Sequence, residues 1–396
     1  MYGLYTKHAG EARFSGVRTS TAGITDVRCS VAASCAKMSC AAVIIYIAVG
    51  SAGRPGDMMH IVTLGNGTGQ ATLLRGLRAY ACEVTAIVGV TDNGGHSGQL
   101  RRLLHLPQMG DTRQCLSALL DTQSVWGQLL RHRFSEGELR GLSVGNFMLA
   151  ALTQQYGSLY AAVEAVRQYA GLRQRVLPVS DGDTHIGAAL QDGRCIVGEW
   201  EIVQRQPRTP IVRLFLQPPV AAHPAALEAI AGADIVVICP GSLLTGTIAL
   251  LLHPGVRETL TASQAPCVAV GNLMTQPGQT DGYTARQHLA VLTTYLGRRV
   301  DAAVLNNGPL PADVLALYAH QGAYPVVNDL TDADVPLSLA DVVERPDAAT
   351  LRAYARPQGA GMAVGLHLIR HEPHRLAAQI MTLASQLLSA SGRGPG

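Results

Sequence analysis

The sequence predicts an α/β fold whose parallel strands end in glycine-rich loops along one edge of an open sheet. The apolar run 61–64 leads directly into a glycine-rich turn at 65–69, after which leucines recur at helical spacing. Residues 84–90 repeat the pattern and end in a second glycine loop at 92–98. The continuous apolar run 234–239 is typical of a central parallel strand. Open α/β sheets bind their ligands at this edge, so both glycine loops are predicted to face one site.

Composition limits the class of protein. The chain has 396 residues, of which 47% are hydrophobic and 15% are charged, enough for a large core in one domain or two. The net charge of +3 includes no dense basic run, and aromatic residues make up only 5%, so neither nucleic acid nor an anionic membrane is an expected partner. The cysteines in the body of the chain have no short spacings, which predicts a reducing compartment, the cytoplasm, and no zinc site.

Residues 1–57 differ from the rest of the chain. They are rich in Ser, Ala, Gly and Thr, and their apolar run at 41–49 is too short to span a bilayer as a helix. We predict a disordered or misassigned leader, with translation starting near Met58, followed by a single α/β domain over 58–392. An export signal is the alternative, because a lysine precedes the apolar run and small residues follow it.

The first glycine loop has the chemistry of a phosphate site. Glycines allow positive φ angles and leave backbone N–H groups open to a ligand, and the partial positive charge at a helix start attracts anions. Gln70 stands where the dinucleotide fingerprint has its third glycine, and no Lys-Ser or Lys-Thr pair follows Gly69. Neither a nicotinamide dehydrogenase nor a P-loop NTPase is therefore expected. The plain alternative is a tight turn between a strand and a helix.

Several polar residues beyond the second glycine loop have two interpretations each. Asp111 is predicted either as the N-cap of a helix at 114–120 or as a residue on the ligand rim. Arg101 and Arg113 could clamp phosphate oxygens, although solvated arginines are more common on helices. Asn146 lies at the start of an apolar helix, where it either caps the N-terminus or reads a base or a sugar.

A β-rich insertion is predicted at about 175–220. Residues 176–179, 185–190 and 195–202 alternate in polarity as strands do, and residues 191–194 form a hairpin turn between the last two. We expect this insertion to cover or narrow a site, without a core of its own.

Three further strand ends carry polar loops. Residues 240–245 supply hydroxyl groups, and residues 271–283 form a connection whose length is typical of a functional loop. Residues 306–309 end the next strand. The chain closes with a strand predicted near 362–369 and an amphipathic helix at about 372–388.

Assembled, these loops resemble those of the gluconeogenesis factor (YvcK-like) family, within the wider superfamily of the 2-phospho-L-lactate transferase CofD. The resemblance runs from about His60 to the C-terminal helix, and its long loop at 272–283 is the most specific part. The motifs that carry it are Gly65-x-Gly67-Thr68-Gly69, Asp92-x-Gly94-Gly95-x-Ser97-Gly98-x-Leu100-Arg101, Gly110-Asp111-x-Arg113, Gly145-Asn146, Pro240-Gly241-Ser242-Leu243 and Asn272-Leu273-Met274-Thr275-Gln276-Pro277-Gly278-x-Thr280-Asp281-Gly282-Tyr283.

The resemblance implies a Rossmann-like three-layer α/β/α sandwich that binds a UDP-sugar or a related nucleotide diphosphate. YvcK-like members look like regulators needed for growth on gluconeogenic carbon and for normal cell shape, with no established reaction. No catalytic residue and no required cofactor are therefore predicted, and a homo-oligomer is left open. The alternative is a CofD-like transferase that moves a phospholactyl-type group from a guanylylated donor to a deazaflavin, with Asp92 as a magnesium ligand.

Three positions depart from the family pattern. Asn66 stands where glycine is usual, Asn93 where a further aspartate is common, and Gln279 where glutamate is common. Amides thus replace two carboxylates, and hard cations such as magnesium prefer charged oxygen ligands. The resemblance therefore supports ligand binding better than it supports transfer chemistry.

The predicted ligand-binding residues come from all of these loops. The two glycine loops are expected to hold the diphosphate, and the long loop together with Asn146 is expected to contact the sugar or the base. The predicted residues are Gly65, Asn66, Gly67, Thr68, Gly69, Asp92, Asn93, Gly94, Gly95, Ser97, Gly98, Arg101, Asp111, Arg113, Asn146, Gly241, Ser242, Leu243, Thr245, Asn272, Met274, Thr275, Gln276, Gly278, Asp281 and Tyr283.

Overall fold

The computed structural model describes residues 58–346 and 368–391. The predicted leader at 1–57 lies outside the described residues, and so does most of the strand predicted near 362–369. The strands are β1 (His60–Gly65), β2 (Glu83–Val88), β3 (Arg175–Pro178), β4 (His185–Leu190), β5 (Cys195–Val197), β6 (Ile211–Gln217), β7 (Ile235–Ile238), β8 (Cys267–Val270), β9 (Ala302–Asn306), β10 (Leu337–Ala340), β11 (Val343–Glu344) and β12 (Arg370–His371). The helices are α1 (Gly67–Leu77), α2 (Gly95–Leu104), α3 (Gly110–Leu119), α4 (Val125–Arg131), α5 (Val144–Tyr156), α6 (Leu159–Tyr169), α7 (Glu199–Gln204), α8 (Pro224–Ala231), a π-helix (Leu243–Ile248) that continues into α9 (Ala249–Leu251), α10 (Val256–Ala262), α11 (Ala285–Leu296), α12 (Ala312–His320) and α13 (Pro373–Ala390).

Seven strands form one sheet in the order β10-β9-β8-β7-β1-β2-β3. Every adjacent pair in it is parallel. The central strands β7 and β8 are buried at every position, which is why they read as continuous apolar runs in the sequence. Helices flank the sheet, and this architecture confirms the predicted Rossmann-like α/β sandwich.

The strand order reverses between β1 and β7. Strand β1 pairs with β2 on one side and with β7 on the other, with Leu64 beside Ile238 at their carboxyl ends. In open α/β sheets ligands bind in the crevice at such a point. The loops after β1 and β7 open there side by side, and the loop after β8 lies next to them because β8 pairs with β7.

Two glycines let other backbone segments approach α1 closely. A Cβ atom on Gly69 would lie 1.8 Å from the carbonyl oxygen of Pro240 in the loop after β7. A Cβ atom on Gly76 would lie 2.0 Å from the carbonyl oxygen of Pro373, at the start of α13. Helix α1 therefore packs between the sheet-edge loop and the C-terminal helix, where Leu74 is fully buried.

A second, antiparallel sheet has the order β5-β4-β6 and contains the predicted hairpin. Strand β3, expected within the insertion, is instead the edge strand of the main sheet. The strand predicted over 195–202 ends at Val197, because Gly198 has a φ of 112° and α7 follows it. Acidic residues favour a helix N-terminus, and Glu199 and Glu201 lie in the first turn of α7.

The starts of α3 and α5 also differ from the prediction. Helix α3 begins at Gly110, so the N-cap role predicted for Asp111 is wrong and this residue lies in the first turn. Its carboxylate faces the glycine loop, where a Cβ atom on Gly67 would lie 3.4 Å from Asp111 Oδ1. Asn146 is the third residue of α5, which begins at Val144, so it is not a cap either. In the part of the chain described, no helix is both long and apolar enough to cross a membrane.

Candidate functional site

A cavity of about 560 Å³ lies at the point where the strand order reverses. Its lining draws on the loops after β1, β2, β7 and β8, on helices α1, α3, α7 and α12, and on β12. Twelve of the predicted ligand-binding residues line it together: Asn66, Gly67, Thr68, Gly69, Asp92, Asp111, Gly241, Ser242, Asn272, Met274, Thr275 and Gln276. Segments far apart in the chain thus meet at one edge of the sheet.

The first turn of α1 provides the donor side of this cavity. Asn66 has the extended conformation of an N-cap, but its side chain makes no capping hydrogen bond and no acidic residue lies in the first turn. Gly67 has a φ of 57°, which glycine adopts without strain. The first N–H groups of a helix have no partner within it, so this turn offers donors and a partial positive charge to an anion.

The loops after β7 and β8 are fixed to each other by side chains from the long loop. The Asn272 amide accepts a hydrogen bond from the N–H of Gly241 at 3.1 Å and donates to the carbonyl of Gly241 at 2.8 Å. Gln279 Oε1 accepts a hydrogen bond from Ser242 Oγ at 2.8 Å and another from the N–H of Thr245. The two loops therefore form one continuous surface.

Two amide oxygens on this lining lack donors. Asn66 Oδ1 and Gln276 Oε1 are buried and accept no hydrogen bond from any residue described in 58–346 and 368–391. A buried acceptor without a partner is costly, so both oxygens lower the stability of the lining in this conformation.

Three carboxylates, those of Asp92, Asp111 and Glu199, also line the cavity, and that of Asp111 lies beside the α1 turn. Burial raises the pKa of Asp111 to about 7, and the neighbouring charge of Asp92 adds to the effect. Burial also raises the pKa of Glu199 well above its usual range, again with a contribution from Asp92. Glu199 accepts a hydrogen bond from Thr245 Oγ1 at 2.8 Å, which ties α7 to the π-helix. Near neutral pH these three carboxyl groups are therefore partly protonated, and their total negative charge is smaller than that of three exposed acids.

Both predicted clamp arginines are bonded to the protein and neither is part of the lining. Arg101 is 3% exposed and donates to Asp183 at 2.8 Å and to the carbonyl of Thr91. Arg113 donates to Asn146 Oδ1 at 2.9 Å and to a backbone carbonyl in α4, and burial lowers its pKa to about 10. These guanidinium groups hold the loops around the cavity in place.

The other predicted residues surround the lining without forming it. Asn146 connects Arg113 with Ser97, because its side chain accepts a hydrogen bond from Arg113 and donates one to Ser97 Oγ at 3.3 Å. The predicted residues outside the lining are Gly65, Asn93, Gly94, Gly95, Ser97, Gly98, Arg101, Arg113, Asn146, Leu243, Thr245, Gly278, Asp281 and Tyr283.

Sequence reasoning missed the part of the lining that comes from α7 and the C-terminal region. Glu199 lies within a predicted strand, and nothing in the sequence brings it to a loop more than a hundred residues earlier. Arg370 and His371 come directly after the last predicted strand, and a basic pair at a strand end was a usable signal. Burial lowers the pKa of His371 to about 4, so its imidazole is neutral at physiological pH.

A magnesium ion, which the transferase alternative implies, has two candidate ligands here. The described residues contain no group of three or more His, Cys, Asp or Glu side chains arranged for a metal. Asn93 is turned away, with its amide bonded to Glu201 at 2.8 Å. Magnesium often binds through one or two carboxylates plus phosphate oxygens, so Asp92 and Asp111 fit an ion that shares a phosphate.

Fold and site together define a Rossmann-like α/β protein with a polar cavity at the edge of its sheet. Residues 61–344 match the family model described as 2-phospho-L-lactate transferase CofD. The gluconeogenesis factor of Bacillus subtilis is 34% identical over 334 residues, which covers 84% of this chain and 100% of that protein. The gluconeogenesis factor of Halalkalibacterium halodurans is 39% identical over 68% of this chain and 84% of its own length.

A solved structure has the same fold. The crystal structure of a UPF0052 family member from Bacillus halodurans has a TM-score of 0.73 and 34% identity, and covers 82% of this chain and 99% of the other. The chain belongs to the CofD family, among the relatives named gluconeogenesis factor. The resemblance inferred from the loop motifs is thereby confirmed.

Proposed function

We propose that this protein binds a nucleotide-sugar, in particular a UDP-sugar, and acts as a regulator rather than an enzyme. In this proposal it works in the cytoplasm and is needed for growth on gluconeogenic carbon and for normal cell shape. The name of its relatives supports the connection with gluconeogenesis. The ligand class rests on the chemistry of the cavity.

The observation that carries the proposal is the open first turn of α1. No side chain caps this turn, it contains no acidic residue, and Gly67, Thr68 and Gly69 all line the cavity. A helix start of this kind binds phosphate through backbone N–H groups and needs no catalytic base. The diphosphate is therefore placed against Gly67–Gly69.

The rest of the cavity suits a sugar. A volume of about 560 Å³ falls within the range of small-molecule sites and exceeds what a diphosphate alone requires. Ser242, Asn272 and Thr275 bring hydroxyl and amide groups to the lining, and such groups form hydrogen bonds with sugar hydroxyls. Arg370, on β12, supplies positive charge at the lining.

Isothermal titration of the full chain with UDP-glucose tests this proposal. Thr68→Glu places a carboxylate in the first turn of α1, where it favours the helix but repels a phosphate. We expect this variant to bind at least a hundredfold more weakly, while the matched Thr68→Gln stays within a few-fold of the parent. Equal affinities of the two variants for UDP-glucose would show that the phosphate does not bind at the α1 turn.

A CofD-like transferase is the second candidate, and the carboxylates favour it. The charges of Asp92 and Asp111 interact within the cavity, which suits a magnesium ion that neutralises a diphosphate leaving group. Titrations with GDP and a deazaflavin, with and without magnesium, distinguish the candidates. Magnesium-dependent binding of both compounds, without a response to UDP-sugars, would reverse the ranking.

A further inference from the structure

Trp200 lies beside the cavity on the short helix α7. Its neighbours on that helix, Glu199 and Val203, both line the cavity. The Trp200 side chain is 48% exposed, whereas the chain's other tryptophan, Trp126, is partly buried against the core. A large aromatic ring exposed next to a polar cavity is available to contact what the cavity binds.

Hydrogen bonds hold the helix that carries this ring. The side-chain oxygen of Asn93 accepts from the N–H of Trp200 at 2.8 Å, and its amide nitrogen donates to Glu201 at 2.8 Å. The third contact is the bond of Glu199 with Thr245 Oγ1 at 2.8 Å. Helix α7 is thus attached to the loop after β2 and to the π-helix. Because the backbone of α7 is already ordered, only the Trp200 side chain has to be ordered when a ligand arrives.

One edge of the indole packs against Gly94. A Cβ atom on Gly94 would lie 3.7 Å from Trp200 Cε3, which is ordinary van der Waals contact, and 3.2 Å from Asp92 Oδ1, so the ring and a lining carboxylate flank the same glycine. A Cβ atom on the next residue, Gly95, would meet nothing within 4 Å. This open space and the 48% exposure of Trp200 let a flat group from the cavity reach the ring past Asp92.

We infer that Trp200 stacks on the base of the bound nucleotide, an inference that rests on the proposed function. A nucleotide bound by its diphosphate at the α1 turn has one flat aromatic part, and an indole face is its natural partner. Stacking strengthens binding by roughly tenfold or more per base, and it tolerates every base because each has a π face. Trp200 accordingly contributes affinity without selecting which base is bound.

Isothermal titration with UDP-glucose, UDP and pyrophosphate tests the inference. Trp200→Ala is expected to weaken UDP-glucose and UDP by about tenfold and to leave pyrophosphate within twofold, because pyrophosphate has no base. Trp200→Phe keeps a ring and should stay within about threefold of the parent for all three compounds. Tyr169→Ala, which removes a 72% exposed aromatic outside the lining, is the matched control and should change nothing.

Fluorescence gives an independent measurement. In a Trp126→Phe variant Trp200 is the sole tryptophan, and its emission should change on addition of UDP but not of pyrophosphate. UDP-glucose affinity of Trp200→Ala within twofold of the parent overturns the stacking role and leaves the proposed function standing. Absence of UDP-glucose binding by the parent chain itself overturns both.

Discussion

Two groups of residues line the cavity, and they differ in the interactions that they make. The sheet-edge side, formed by Gly67–Gly69 with the loops after β7 and β8, consists of backbone donors and of amides that are bonded to neighbouring loops. The acidic side, formed by Asp92, Asp111 and Glu199, brings together carboxylates whose burial and mutual repulsion raise the pKa of two of them. The sheet-edge side follows from the ordinary backbone geometry of strand ends and helix starts, whereas the buried carboxylates of the acidic side lower the free energy of unfolding.

That difference indicates which residues are more sensitive to ligand and to pH. Natural chains depart from consistent local rules mainly at functional sites, because a conflict that lowers stability needs a compensating gain. The acidic side opposes both folding and the approach of a phosphate, so it is the side expected to control when a ligand binds.

The largest expected effect comes from Asp111→Asn. The folded-state pKa of Asp111 is about 7, whereas an unfolded aspartate ionises near pH 4, so the folded state holds an additional proton between these values. The free energy of unfolding therefore falls as pH rises from about 4 to about 7, and above pH 7 this group causes no further change. At about 1.4 kcal/mol per pH unit, the total loss is about 4 kcal/mol. Asp111→Asn should unfold at higher urea concentration than the parent at pH 8.

The pH profile supplies the control for that variant. The gain in free energy of unfolding of Asp111→Asn over the parent should increase between pH 5 and pH 7 and then stay level. Asp313→Asn, an exposed acid at the start of α12, should follow the parent at every pH. A constant difference between Asp111→Asn and the parent from pH 5 to pH 8 would show that Asp111 does not titrate in this range.

The sheet-edge side is tested by Gly69→Ala. The new methyl group would lie 1.8 Å from the Pro240 carbonyl oxygen, and both partners are backbone, so the α1 turn and the loop after β7 must separate. Overpacking of this kind costs about 1–3 kcal/mol, and the upper end is expected here because neither segment can rotate away. Thermal unfolding measures the loss. Gly232→Ala, whose methyl group would meet only one atom at 3.4 Å, should remain near the parent.

Sequence reasoning located the sheet-edge side better than the acidic side. An apolar run that ends in glycines is a clear sequence signal for a strand and a turn, and parallel strands bring their carboxyl ends to one edge. Gly67, Ser242 and Thr275 were therefore expected together, and they do line one cavity. Gly95 was expected with them but is outside the lining. The position of Glu199 depends on the positive φ of Gly198, which turned a predicted strand into a helix.

Asn272→Ala tests how the loops of the sheet-edge side are held. It removes the two hydrogen bonds to Gly241, each with a net value of about 1 kcal/mol, so a loss of about 2 kcal/mol in the free energy of unfolding is expected. The separated loops should also bind UDP-glucose more weakly. Asn328→Ala removes an amide that makes one bond, to the N–H of Leu330, and is the matched control. Equal losses in the free energy of unfolding for both variants would mean that the contact between the loops does not stabilise the protein more than an ordinary single hydrogen bond does.

The smallest effect is expected within the acidic side, where Asn93 holds α7. In Asn93→Asp the carboxylate can still accept from the N–H of Trp200, but it can no longer donate to Glu201 and instead faces a second carboxylate. Because the contact is exposed, the loss should be about 1 kcal/mol. Adding Glu201→Gln restores a donor opposite the new carboxylate and should recover most of it. Urea unfolding of the parent, both single variants and the double variant gives the coupling energy, and simple additivity of the two single effects would contradict a direct contact.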